Sequence, residues 1–380
     1  MKNIIIANQL IGKSISSGGD VLAFQMVRRM PSVDTVILAP KLASESIAKA
    51  CPGKEIFNTG NLNPTSASSI IGGIITVLAY IERTISTSVF LFLHCSQIRS
   101  VYLTGDFLCD VLPAYIMRIF CKNNRIKVVG NFYHLNPSPK DRKGNPPLIS
   151  YFSRIFQELS LRLMRKTLSQ IFVLTEEGKR DLVNKSFDSK RVVVSGAAAD
   201  VPGAVGDIKH PNTNQIVYVG RINNTKGAFD LVEILKIIIK SKPRVRCVMV
   251  GSASIEDLQK MKTMIKKNGL DSNIILTGFL DDNEKYKIIS QSKCLVLPSK
   301  EEGFGIVIME SLSLGVPVVC FDLPAIELIY GKYKQVYRLR LGDIEQFSNR
   351  VVKILKADKV KFKYDLPSWD DVFKVQSKYF

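Results

Sequence analysis

Short β-branched runs alternate with longer stretches of helical spacing along almost the whole chain, and this order is accommodated by parallel α/β layers in which each strand feeds a crossover helix. In the first half the expected strands are Lys2–Ala7, Thr35–Leu38, Val89–Leu93, Val101–Leu103, Lys127–Gly130 and Ile171–Leu174. The pattern restarts with Val192–Val194, Ile216–Val219, Val245–Val250, Ile274–Leu276, Cys294–Leu297 and Pro317–Cys320. A chain of 380 residues exceeds what one core usually organises, so two domains of roughly 150–200 residues are expected. The stretch from Val201 to Asn214, with Pro202, Gly203, Gly206 and Pro211, has linker chemistry. The expected division is therefore 1–202, 203–364 and a C-terminal helix, 365–380, returning toward the first domain. Two Rossmann-like domains facing each other across a cleft follow, with ligands at the carboxyl ends of the strands.

Composition narrows the partners. The chain carries 53 Lys and Arg against 34 Asp and Glu, a net charge of +19, spread over both halves. Such a field attracts nucleic acid, anionic lipid headgroups or phosphorylated small molecules alike. The 7 cysteines are scattered, with no C-x-x-C and no zinc-type Cys/His spacing, so buried, reduced thiols and a cytoplasmic setting are expected. No secretory signal is expected at the N-terminus. The longest apolar run, Ile70 to Ile81, ends at Glu82-Arg83, short of the ~20 residues a bilayer span needs, so no membrane crossing is expected.

The densest chemical signal is Pro298-Ser299-Lys300-Glu301-Glu302-Gly303-Phe304-Gly305, followed by a helical stretch containing Glu310. It reads as strand, glycine loop and helix. Gly303 and Gly305 permit close backbone approach, and the N–H groups opening the helix form an anion site that suits a phosphate. Glu302 and Glu310 bracket that phosphate, and carboxylates accept hydrogen bonds from hydroxyls. A nucleotide sugar, with hydroxyl-rich rings on both sides of a diphosphate, fits this set, without deciding which ring meets which carboxylate. Gly220-Arg221-Ile222-Asn223-Asn224-Thr225-Lys226-Gly227 leaves an earlier strand with two cations able to grip phosphate oxygens; the alternative is ordinary surface charge.

These residues carry a family resemblance. G-R-x4-K-G, P-S-x-x-E-G-F-G, Glu310-Ser311, Gly315-Val316-Pro317-Val318-Val319 and Ser368-Trp369-Asp370 resemble the retaining family 4 glycosyltransferases of the GT-B fold, over residues 216–370. The resemblance implies that Arg221 and Lys226 hold the donor diphosphate, Glu302 and the Gly303-Phe304-Gly305 backbone the donor sugar, and Glu310 the nucleotide ribose. It also matches Gly18-Gly19 to the family's first glycine loop, contacting donor phosphate and acceptor, with a tight helix-opening turn as the competing reading. It places His134 beside the reacting sugar, where a structural hydrogen bond is the competing reading. The chain departs from the family at Ser195-Gly196-Ala197-Ala198-Ala199-Asp200, leaving Asp200 without a role. No D-x-D occurs, so no metal is expected at the diphosphate. The catalytic set is thus His134, Glu302, Arg221 and Lys226.

The implied activity is retaining, metal-independent sugar transfer from a nucleotide-diphosphate donor, a co-substrate with no further cofactor, to a saccharide or lipid-linked acceptor hydroxyl in surface polysaccharide or glycolipid synthesis. Competing readings are a nucleotide-sugar epimerase of the same fold, which would consume donor without acceptor, and a basic nucleic-acid-binding protein. The nucleic-acid reading is disfavoured by the single Trp369 and the lack of interleaved aromatic and basic motifs. The amphipathic segment from Tyr151 to Lys166 is either core-packing or a patch for an anionic membrane surface, which would make the enzyme peripheral on the inner face.

Overall fold

The computed structural model of the chain describes residues 1–10, 18–63, 70–121, 125–136, 147–199, 214–358 and 362–380. The chain divides into two compact units, Met1–Ala197 with Trp369–Phe380, and Ala198–Ser368. The expected boundary at residue 202, with Asp200, lies outside the described residues.

The first unit is a seven-stranded parallel sheet of order β3-β2-β1-β4-β5-β6-β7. Its strands are β1 (Lys2–Ile6), β2 (Thr35–Ala39), β3 (Glu55–Asn58), β4 (Ile98–Leu103), β5 (Lys127–Phe132), β6 (Gln170–Val173) and β7 (Val192–Val194). Between them run α1 (Gly18–Arg29), α2 (Ser44–Ala50), α3 (Ile70–Leu93), α4 (Leu108–Phe120), α5 (Pro147–Thr167) and α6 (Glu176–Asn184). One core joins Ile4, Ile6, Val101 and Val128 of the strands to Leu91 of α3, Ala114 and Met117 of α4, and Leu161 and Met164 of α5, so these three helices cover the same face of the sheet. The closing helix α13 (Trp369–Gln376) packs on α1, where Asp370 pairs with Arg29 at 2.5 Å.

The second unit is a six-stranded parallel sheet of order β10-β9-β8-β11-β12-β13. It contains β8 (Gln215–Val219), β9 (Arg246–Val250), β10 (Ile274–Gly278), β11 (Leu295–Leu297), β12 (Val318–Phe321) and β13 (Val336–Leu339), with α7 (Asp230–Ser241), α8 (Ile255–Lys267), α9 (Asp282–Ser290), α10 (Ile306–Ser313), α11 (Pro324–Tyr330) and α12 (Ile344–Lys356). Every residue of β11 and β12 is buried, as expected of central parallel strands sandwiched by helices. Leu231, Val232, Leu235 and Ile238 give α7 its apolar stripe at helical spacing, and it packs with Phe347, Val351 and Leu355 of α12 in one core.

Three expectations are corrected, and two strands had none. Val89–Leu93 is the last part of α3, not a strand: a short β-branched and aromatic run has no period that separates strand from helix, and here Phe90 and Leu91 pack into the core while Val89, Phe92 and Leu93 stay exposed. Val192–Val194 pairs with β6 and completes the first sheet instead of opening the second. Edge strands β3 and β13, half-exposed and mixed in composition, were not legible as strands. Finally, the apolar run does not end at Glu82-Arg83, because both turn to protein partners and α3 continues to Leu93; α3 is thereby long and apolar enough, by length and composition, to cross a membrane, which does not overturn the expectation of no crossing. All 7 cysteines are free thiols, six of them buried.

Candidate functional site

Strand order in the second unit reverses between β8 and β11, and loops at such a switch point are where parallel α/β sheets hold ligands. Those two loops carry the sequence motifs. The Tyr218 hydroxyl, at the end of β8, donates to the Arg221 carbonyl at 2.7 Å and the Lys226 carbonyl at 3.3 Å, folding residues 221–226 back on the strand. Lys226 N–H donates to Asn223 Oδ1 at 2.9 Å. Gly227 then passes against Pro298 with φ of 66°; a Cβ there would stand 1.8 Å from the Pro298 carbonyl oxygen, so only glycine fits. Lys300 fastens the two loops together. Its N–H donates to the Thr225 carbonyl at 2.9 Å, and its ammonium reaches Asn224 Oδ1 at 3.1 Å and Asp230 at 2.9 Å.

This stitching brings Lys226 to Glu302, Nζ to Oε1 at 2.7 Å, with the Glu302 side chain 7% exposed. A carboxylate so far removed from water needs a charged partner. Gly303, Phe304 and Gly305 lead into α10, whose N-cap is Gly305 in the left-handed region, with no side-chain cap. The Gly305 carbonyl accepts from the buried Tyr330 hydroxyl at 3.0 Å, while the Phe304 ring packs edge-on to Tyr330 and is buried. Phe304 is therefore a core anchor of this turn, and what it offers a ligand is backbone. Arg221 is exposed at the mouth of the same loop.

Glu310, in the second turn of α10, has its side chain 8% exposed and pairs with Lys285 of α9 at 2.8 Å; the Tyr286 hydroxyl donates to the same Oε1 at 3.3 Å. Lys285 also meets Asp282 at 2.8 Å. Burial by itself would lower the pKa of Lys285, but Glu310 and Asp282 outweigh it and hold the ammonium above the ordinary lysine range. Lys285, Tyr286, Lys300 and Tyr218 were not singled out from sequence. Lys300 stands inside the glycine-loop motif and Tyr218 in the strand before Gly220-Arg221, but nothing local marks their part in the site, and Lys285 and Tyr286 lie in no motif.

The remaining expected residues belong to the first unit, whose strand order reverses between β1 and β4. Gly18 and Gly19 open α1. A Cβ on Gly19 would lie 2.7 Å from the Tyr133 ring, and the Tyr133 hydroxyl donates to the carbonyls of Gly19 (2.7 Å) and Thr104 (2.5 Å). Gly19 thus admits a tyrosine that ties three loops together. His134, next to it, is exposed, and its carbonyl accepts from Gln157 Nε2 at 3.0 Å. Gln157 also donates to Asp106 Oδ2 at 2.8 Å, and burial pushes the Asp106 carboxyl up to about 6 against the opposing effect of that bond. Among the described residues no three His, Cys, Asp or Glu side chains cluster as metal ligands.

Residues 207–364 match the family model of glycosyl transferases group 1. The poly(glycerol-phosphate) alpha-glucosyltransferase of Bacillus subtilis (strain 168) is 25% identical over 219 residues, 56% of this chain and 31% of that protein. The GDP-mannose:cellobiosyl-diphosphopolyprenol alpha-mannosyltransferase of Xanthomonas oryzae pv. oryzae (strain PXO99A) is 24% identical over 239 residues, 60% of this chain and 63% of that protein. The chain thus spans less than two thirds of either relative. The solved structure of Anabaena Alr3699/HepE in complex with UDP and glucose aligns with a TM-score of 0.70 at 11% identity, over 100% of this chain and 95% of that one. Two parallel α/β units of this kind define the GT-B fold.

Proposed function

We propose that this chain is a glycosyltransferase that moves a sugar from a nucleotide-diphosphate donor to an acceptor hydroxyl with retention of configuration and without a metal ion. The observation that carries the reading is the half-buried Lys226–Glu302 pair beside the uncapped start of α10, at the switch point of a group 1 glycosyltransferase domain. The cation and the carboxylate satisfy each other. A diphosphate bound at the α10 N-terminus offers Lys226 a stronger anionic partner, and Glu302 then turns its acceptor oxygens to the hydroxyls of the donor sugar. Glu310 Oε1 faces Lys285 and Tyr286, and Oε2 is the oxygen assigned to the ribose diol.

In the proposed reaction the acceptor oxygen attacks the anomeric carbon on the face the leaving group departs from. The new C–O bond forms as the bond to the diphosphate oxygen breaks, and that oxygen takes the acceptor proton. Arg221, Lys226 and the α10 amides offset the charge developing on the leaving diphosphate, the kind of preorganised stabilisation that dominates many enzymatic rates. His134 and the Gly18–Gly19 turn are assigned to the acceptor side of the reacting sugar. A saccharide or lipid-linked acceptor in polysaccharide or glycolipid synthesis is favoured by the names of the two relatives, one of which acts on a diphosphopolyprenol-linked sugar. The basic charge of the chain suits a cytoplasmic enzyme working at an anionic membrane.

The test is turnover of UDP-, GDP- and ADP-sugars in excess EDTA. Transfer that survives chelation is expected. Activity lost in EDTA and restored by magnesium or manganese overturns metal independence, and donor consumed with no acceptor present points to an epimerase.

A further inference from the structure

Helix α3 is built inside out. Its buried positions include Arg83 and Thr87, whereas Ile74, Val77, Leu78, Ile81, Ile85, Val89 and Phe92 form a solvent-facing stripe, each about half exposed. The spacing of that stripe is the 3.6-residue period by which a helix normally faces a core. The only two charged side chains in α3 are tied to protein. Glu82 accepts the N–H groups of Asn61 (3.1 Å) and Leu62 (3.0 Å), and Arg83 donates to the carbonyls of Asn8 (2.7 Å) and Leu10 (2.8 Å).

The hydroxyls beside the stripe are silenced as well. Thr84 and Ser88 each donate to the carbonyl four residues earlier, both at 2.7 Å, the arrangement by which a helix satisfies a hydroxyl without water. On the same face of the sheet, α4 exposes Ile119 and Phe120, with Phe107 exposed just before its start, and α5 exposes Tyr151, Phe152, Ile155, Phe156 and Leu159. Beside these, α5 holds the exposed cations Arg154, Arg162 and Lys166.

From this we propose that the outer face of α3, α4 and α5 is a membrane-insertion surface, with α3 lying in the plane of an anionic bilayer at the acyl boundary and the α5 cations on lipid phosphates. Apolar patches of this extent mark interaction sites. Lipid is the partner chosen because the α3 stripe offers no polar group for a protein to bond, while the flanking charge is positive. Crossing is not proposed, since Ala79, Arg83, Thr87 and Leu91 are committed to the first unit's core. The inference deepens the membrane part of the function proposed above and rests on it.

The test is flotation of the whole chain with phosphatidylglycerol/phosphatidylcholine vesicles and with phosphatidylcholine alone, alongside Phe92→Trp fluorescence against the buried Trp369. Binding to the anionic vesicles that persists in part at high salt is expected, with a blue shift of the new tryptophan and quenching by brominated acyl chains. The pair Ile81→Glu and Ile85→Glu is expected to weaken vesicle binding at least about tenfold while leaving nucleoside-diphosphate affinity at the parent value. No vesicle binding by the parent chain, binding fully reversed by salt, or a Phe92→Trp emission that does not move overturns the surface. So does a solution dimer that these two substitutions dissociate, which assigns the face to a second copy. Vesicle insertion without sugar transfer would instead retain the surface and discard the enzymatic reading.

Discussion

The two units are built on the same parallel-sheet plan, yet they meet their surroundings in opposite ways. Of the exposed large hydrophobic side chains among the described residues, four stand on the second unit and twenty-one on the first. The second unit concentrates its chemistry in charge, with the pairs Lys226–Glu302, Lys285–Glu310 and Lys300–Asp230 gathered on loops and helix starts at the switch point. At the equivalent place the first unit uses Tyr133, Thr104 and Gln157, and keeps Asp106 and Asp110 buried without a salt bridge among the described residues. On the proposed function, one unit grips a soluble anion. The other presents hydrogen-bonding loops at the switch point and an apolar outer wall.

The largest break in this contrast is expected from the cations of the second unit. Arg221→Ala and Lys226→Ala should each lower turnover by roughly 10²–10³, the scale of losing one preorganised charge. Only Lys226→Ala should also lower the melting temperature, because it strands the buried Glu302 carboxylate, whereas Arg221 is exposed. Parent rates in either variant would place that cation outside the reaction.

A smaller effect sharpens the first unit's side. Asp106 is raised from 3.8 to about 6 by burial, so the folded chain binds more protons than the unfolded one between those values. The stability this contributes is present at low pH and lost as pH rises through about 6. Asp106→Asn keeps an oxygen for Gln157 and removes the charge. It should therefore match the parent near pH 4 and exceed it at pH 7.5 by ~1–3 kcal/mol, several degrees by differential scanning fluorimetry at about 2–4 °C per kcal/mol. Identical pH dependence in parent and variant would show that the Asp106 carboxyl is not the titrating group.

The contrast also explains what could be read from sequence. Strands β8 to β12 and the loops holding Arg221, Lys226, Glu302 and Glu310 were legible because glycines and charges at fixed spacing follow runs of β-branched residues, so local pattern and chemistry agree. The partners of those residues were not, because Lys285 reaches Glu310 from another helix, and its distance in sequence carries no signal. In α3 the local pattern misled. Glu82-Arg83 reads as the end of an apolar run, but the Arg83 guanidinium is satisfied by carbonyls of Asn8 and Leu10, and the helix continues to Leu93. Hydrophobic periodicity reports that a face avoids water. It does not report whether the cover is the protein's own core.

The central claim is that the second unit holds a nucleotide sugar with one carboxylate for each ring. Calorimetry of Glu302→Gln and Glu310→Gln tests it most directly, using bare nucleoside diphosphate and intact donor, with the nucleotide chosen as the strongest stabiliser among UDP, GDP and ADP. Glu310→Gln should weaken the bare diphosphate roughly 5–30-fold, the loss of ~1–2 kcal/mol of charge-assisted bonding to the ribose. Glu302→Gln should leave that affinity nearly unchanged and depress transfer from the sugar donor. Equal weakening of the bare diphosphate by both variants, or by neither, would contradict the assignment.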